Sequence, residues 1–318
     1  MHNTTFSRRL LLQLAAGTIT LPKFAFGAAT GAVAEGLSLG FSLYGMKTVP
    51  LDVALTTCAE IGYTHVEFAL NEGYATEPTQ FSNEDRSEAA AKLNELNLCL
   101  PSLMVNISLT ANDKAHAQSL ELISAAGRVG RDILPEKPPF LETVLGGSPT
   151  KWEEQKSGMA DKLRDWAAAA QQAKTIIAIK AHVNSAVNSP ERLFWLLDEV
   201  KSPAIEVAYD YSHFELQGID MEESLKLLLP RTKFIHVKDS QGDLSKFQFL
   251  LPGEGRTDYV KYFSLLRKQN YKGPVCVEVS GQVFNKKDYN PIVAAKKCYT
   301  SLSAALKEAS RSRLPGGT

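Results

Sequence analysis

The chain has 318 residues, 44% of them hydrophobic and 22% charged, a profile that excludes a disordered or fibrous protein and provides for one large core. Lysine plus arginine and aspartate plus glutamate stand at 35 each, so no basic excess exists to hold nucleic acid or an anionic membrane. An endonuclease is disfavoured on that ground, and a small-molecule partner is expected.

Residues 1–27 read as an export signal. Ser7-Arg8-Arg9-Leu10-Leu11-Leu12-Gln13 leads into an alanine-rich apolar run, and Ala25-Phe26-Gly27 offers small residues for cleavage. The adjacent arginines resemble a twin-arginine signal, which implies a periplasmic or otherwise exported protein. The run Leu10–Ala16 is too short to span a bilayer, which needs about 20 residues, so no stable membrane span is expected. Residues 28–36 then read as a linker, 37–310 as one folded domain and 311–318 as a flexible tail.

From residue 37 onward short apolar strands alternate with amphipathic helices. The predicted strands, in order, are Leu37–Leu43, Tyr63–Phe68, Leu98–Met104, Phe140–Leu145, Thr175–Lys180, Ala204–Tyr209, Lys233–Val237 and Pro274–Val279. The predicted helices are Asp52–Ile61, Asn83–Leu96, Trp152–Ala173, Pro190–Val200, Glu222–Leu229, Tyr259–Lys268 and Ile292–Leu306. This alternation predicts an α/β protein, a (β/α)8 TIM barrel, with an open doubly wound sheet as the alternative. The stretch Ala111–Pro139 is the least regular. A helix over Lys114–Gly127 followed by Pro135 and Pro138-Pro139 suggests a loop or lid over one barrel end. The four cysteines are widely spaced in apolar segments and read as buried thiols, with Cys276 and Cys298 the one pair to test for a disulfide. No GxGxxG, GxxxxGK[ST] or GxSxG sequence lies between a strand and a helix, which removes the simplest nucleotide-binding and serine-hydrolase readings.

In such a barrel the active site lies at the carboxyl ends of the strands, and the second half of the chain places polar residues there. The fifth strand ends Ile179-Lys180-Ala181-His182, the sixth Tyr209-Asp210-Tyr211-Ser212-His213, the seventh His236-Val237-Lys238-Asp239, and the eighth Val277-Glu278. Taken singly, a strand-end Asp caps the next helix and a strand-end His is a satisfied core residue. Together on consecutive strands, Asp210, His236 and Glu278 make a mixed carboxylate and imidazole set suited to Mn²⁺, Co²⁺, Fe²⁺ or Zn²⁺, among which donor type does not choose. Glu67 at the end of the second strand, Lys238 and Arg256 are further candidates for substrate binding. Tyr44, Phe41, Trp152 and Phe214 could stack on a substrate, although aromatic residues in such segments are more often core.

These elements, with Pro252-Gly253-Glu254-Gly255, Asp258-Tyr259 and Gly273-Pro274-Val275-Cys276-Val277-Glu278, resemble the xylose isomerase-like TIM-barrel family of sugar isomerases and epimerases. The likeness is sharp only from about Thr175 onward. It implies that Asp210, His236 and Glu278 bind a divalent metal and that His213 contacts a sugar substrate. Many members end the fifth strand with a Glu that is both ligand and base, and Lys180 stands there instead. A protonated lysine cannot ligate a cation. His182, two residues on and on the same face if the strand continues, is the candidate replacement ligand. Losing one carboxylate makes a symmetrical two-base epimerisation doubtful. It leaves Glu278 as the base, with Lys180 as a proton donor or, if a nearby cation depresses its pKa, a second base. Three functions remain open: a metal-dependent isomerase or epimerase acting on a keto or aldo sugar through an enediolate, a lyase or hydrolase cleaving a 3-keto-glycoside, and a non-catalytic sugar-binding barrel.

Overall fold

The computed structural model describes residues 36–311. The expected signal over 1–27, nearly all of the linker and the last seven residues lie outside the described residues. Ten strands are formed: β1 (Ser38–Ser42), β2 (His65–Ala69), β3 (Cys99–Met104), β4 (Phe140–Val144), β5 (Ile177–Lys180), β6 (Ile205–Asp210), β7 (Thr232–Val237), β8 (Asp239–Asp243), β9 (Lys246–Leu250) and β10 (Pro274–Val277). Eight of these are parallel and close on themselves in the order β1-β10-β7-β6-β5-β4-β3-β2, while β8 and β9 pair antiparallel as a separate hairpin. The crossovers carry α1 (Leu51–Ile61), α2 (Asn83–Glu95), α3 (Asp113–Ile133), α4 (Trp152–Gln172) and α5 (Pro190–Val200). After β6 come α6 (Ser212–Glu215), α7 (Met221–Leu228), α8 (Tyr259–Lys268), α9 (Gly281–Phe284) and α10 (Pro291–Arg311). The fold is the expected (β/α)8 TIM barrel. No helix among the described residues is long and apolar enough to cross a membrane.

Local chemistry starts these helices where it should. Ser82 and Asp85 form a capping box at α2, Asn112 accepts from Ala115 N at α3, and Asp258 accepts from Lys261 N at α8. The lid expected over Ala111–Pro139 is not formed. Its place is taken by α3, 21 residues long, which buries Ile123, Ala126, Val129 and Ile133 against the barrel. Gly127 sits inside this helix because a Cβ there would come within 2.7 Å of Ala173 Cβ, so the glycine admits a close helix contact rather than ending the helix. The hairpin β8–β9 is the other departure. Neither strand is among the eight expected; Leu244-Ser245 turns the chain between paired Asp243 and Lys246, and Gly242 at φ +87° sits opposite Phe247, where a Cβ would meet the Lys246 carbonyl.

The barrel interior explains where the polar residues go. Ala178, Ala208, Phe234 and Cys276, with Phe140, form a small apolar cluster inside the ring. Side chains two residues apart on a strand share a face, so the next inward positions are Lys180, Asp210, His236, Glu278 and Glu142. Ser42 and Glu67 stand level with one another on β1 and β2. An apolar plug therefore carries a polar layer immediately above it, at the carboxyl end of the strands. All four cysteines are free, and Cys276 belongs to the plug.

Candidate active site

The polar layer is knit by ion pairs that leave its members almost wholly buried. His236 Nε2 lies 2.8 Å from Glu67 Oε2, and on the other side of the ring Nδ1 lies 2.9 Å from Lys180 Nζ. Lys180 Nζ is also 3.0 Å from Glu142 Oε1 and 3.2 Å from Glu278 Oε2. Lys238 Nζ bonds Asp210 Oδ2 and lies 2.5 Å from Glu278 Oε2. Asp210 Oδ1 accepts from the Ser212 hydroxyl at 2.7 Å, which fixes the carboxylate. His213 Nδ1 accepts from Val183 N at 3.4 Å, and its Nε2 stands 3.5 Å from Asp210 Oδ2. Glu278 alone among the ion-paired residues of this layer has a side chain more than a few per cent exposed, at 12%, so a ligand meets it first.

Charge follows geometry. Burial pushes the Glu278 carboxyl up, but Lys180 and Lys238 more than reverse this and hold it well below the usual carboxylate range. Asp210 is held low in the same way, against burial, by Lys238 and His213. Glu142 goes the other way: burial raises its pKa, and Lys180 only partly offsets that. For Lys180 burial lowers the pKa, yet Glu142, Glu278 and Asp210 together raise it above the ordinary value. Three carboxylates thus surround the ammonium and favour its charged form, whereas the expected base role depends on a cation beside it. His236 is opposed by burial and favoured by Glu67, with a net rise. The ammonium on its Nδ1 fixes the tautomer in which Nε2 carries the proton toward Glu67.

Two sequence candidates are not brought into this layer. His182 lies beyond the end of β5, so the same-face argument fails. Its Nδ1 accepts from Asn184 N at 3.1 Å, and its ring rests 4.2 Å from that of His213. Burial, then the charges of His213 and Lys238, push its pKa down to about 2. Arg256 is 47% exposed and bonds the carbonyl oxygens of Gly242 and Glu215, tying the β8–β9 hairpin to α6. Phe41, Trp152 and Phe214 are core, whereas half-buried Tyr44 stacks on Tyr74 and its phenol is pushed up by burial and by Glu278. Glu142 is the residue that sequence reading missed. Its signal was a carboxylate inside the apolar run Phe140-Leu141-Glu142-Thr143-Val144, at the level where Glu67 drew attention on its own strand.

The Pro252–Gly255 motif serves this site from outside. Asp239 accepts from Gly253 N at 2.6 Å, Gly255 N at 2.9 Å and Thr257 N at 3.2 Å, which anchors the loop beneath the hairpin. The hairpin in turn sets Phe249 5.1 Å from Lys238 Nζ and edge-on to His213, an apolar roof over the layer. A Cβ on Gly255 would lie 2.6 Å from Ser240 O and 2.8 Å from Asp239 Cβ. Gly255→Ala should therefore cost about 1–3 kcal/mol in urea denaturation. An unchanged midpoint would show that the loop does not need this close approach.

Among the described residues two donor sets could hold a metal: Asp210–His236–Glu278 and Glu67–Glu142–His236, each with ligand atoms within 4.8 Å of one another. The layer fits a divalent cation. Four carboxylates face two ammonium groups, a formal surplus of negative charge that such an ion would balance, and Glu67 Oε1 is buried without a hydrogen-bond partner. A cavity of about 430 Å³, bordered by Phe194, Lys201, Glu206 and Arg231, opens at the other end of the strands. It holds none of this chemistry, so the site is placed by its charged groups rather than by the hollow.

A family model described as xylose isomerase-like TIM barrel matches residues 55–297. The chain belongs to the xylose isomerase-like TIM-barrel family. Among similar proteins, an inosose dehydratase of Geobacillus kaustophilus is 22% identical, covering 79% of this chain and 84% of its own length. A putative L-ribulose-5-phosphate 3-epimerase of Escherichia coli is 24% identical, covering 80% and 91%. The solved IOLI protein with a bound zinc atom has the same fold at TM-score 0.72 and 17% identity, covering 86% of this chain and 99% of its own. A dehydratase and a putative epimerase thus stand at comparable distance from this chain.

Proposed function

We propose that this protein is a divalent-metal-dependent carbohydrate enzyme that removes a proton from the carbon beside a carbonyl in a keto or aldo sugar, in the manner of an isomerase or epimerase. The observation that carries the reading is Glu278, the accessible carboxylate of the layer, held ionised by two ammonium groups beside the Asp210–His236 donors. Asp210, His236 and Glu278 would hold the ion, and when bound it would supply Lewis acidity toward a sugar carbonyl. Glu278 takes the proton at its free oxygen. Lys180 and Lys238 place positive charge where the carbonyl oxygen becomes an enediolate, which is the largest lever available to such a site. His213 and Tyr44 border the sugar, and Phe249 limits water.

A second reading is favoured by one specific feature. Lys180 is kept protonated by its carboxylate neighbours, so it can give a proton to a leaving oxygen, and the same first step then ends in elimination from an oxidised glycoside. Dehydratase and 3-epimerase, the activities named for the two relatives, both fit a start at an acidified C–H. Neutral sugars are preferred over phosphorylated ones, since the sequence carries no glycine-rich anion cradle. Export through the signal in residues 1–27 completes the proposal, and periplasmic fractionation of the full chain tests it.

Purified protein is incubated in D2O with a free ketose and with a 3-keto-glycoside, with and without chelator. Deuterium entering beside the carbonyl without release of the aglycone supports isomerisation or epimerisation, and release of the aglycone supports elimination. Either rate should fall at least about tenfold after metal removal. No exchange and no release with any keto or aldo sugar tried would overturn the reading.

A further inference from the structure

The arrangement of Lys180 points to a role that neither reading requires. His236 offers only one free imidazole nitrogen, because Nε2 is engaged by Glu67 at 2.8 Å. That remaining nitrogen, Nδ1, has Lys180 Nζ at 2.9 Å. The same ammonium lies 3.0 Å from Glu142 and 3.2 Å from Glu278, so a carboxylate of each donor set and the histidine common to both surround it. Its side chain is 2% exposed and its neighbours are packed. An ion cannot take the Nδ1 lone pair while the ammonium is bonded to it.

We propose that Lys180 is a tethered cation that competes with the divalent metal for His236 Nδ1, Glu142 and Glu278, so that metal occupancy requires this ammonium to be displaced. The idea rests on the reading that Asp210, His236 and Glu278 hold a metal. It gives both ammonium groups a place among the donors: Lys180 bridges His236 and Glu278, and Lys238 bridges Asp210 and Glu278. Displacing Lys180 also puts a protonated amine beside the substrate as the ion arrives. Removing its charge frees His236 Nδ1 and leaves the donors more negative, and the ion should bind more tightly.

The test is calorimetric titration of chelator-stripped protein with ZnCl2, together with the rise in melting temperature that Zn²⁺ produces. Lys180→Met should bind at least about tenfold more tightly than the natural chain and gain more in melting temperature. Lys180→Gln, which keeps an amide donor for Glu142, should move in the same direction and serves if the methionine variant does not fold. Asp210→Ala, alone and combined with Lys180→Met, separates the two ideas. A gain on removing Lys180 that is lost with Asp210 supports the proposal. Affinity unchanged or weakened in both Lys180 variants, with Asp210→Ala still reducing it, overturns the competition and leaves the metal reading standing. Zinc binding indifferent to Asp210 overturns both.

Discussion

Replacing Glu278 by glutamine is expected to lower kcat about a thousandfold while the barrel stays folded. The amide oxygen can still accept from Lys180 and Lys238, which in the natural chain stand 3.2 and 2.5 Å from Glu278 Oε2, so the layer keeps its hydrogen bonds. What is lost is the negative charge that receives the proton. Because Glu278 is the exposed member of the layer, with 12% of its side chain in contact with solvent, the substitution forces no rearrangement of buried neighbours. Steady-state kinetics on whichever keto sugar shows exchange, beside a urea denaturation curve, give both halves of the result. A loss smaller than about tenfold would remove Glu278 as the base.

The second large effect concerns stability. Lys238→Met should cost about 3–5 kcal/mol, because it removes the cation from a buried pair and leaves Asp210, whose side chain is fully enclosed, without its counter-charge. The Lys238 ammonium also sits 5.1 Å over the Phe249 ring, so the hairpin roof loosens with it. The expected reading is a large shift in the denaturation midpoint, with activity falling as well. A shift under about 1 kcal/mol would mean that Asp210 finds another partner on its own, and that Lys238 is not what holds the carboxylate in place.

These effects divide according to what each residue needs in order to be recognised. The strand-and-helix alternation needs only neighbours in sequence, and it placed all eight barrel strands, since period and turn chemistry are local properties. Asp210, His236 and Glu278 stood out because each closes an apolar run, a pattern that a single strand carries within itself. Glu142 lies in the middle of Phe140–Val144 and closes no run, and only the inward register of β4 beside β5 shows that its carboxylate meets Lys180. His182 and Arg256 were attractive by type and spacing. Their fates turn on where a strand stops and what a loop carbonyl offers, which sequence does not contain.

The sequence by itself determined the barrel and the chemical character of its mouth, because both follow from short-range periodicity. Only the tertiary structure decided that Lys180 lies inside the donor set rather than beside it. That placement depends on four strands, β4, β5, β7 and β10, closing around one point, and on burial strong enough that an ammonium is retained only where carboxylates surround it.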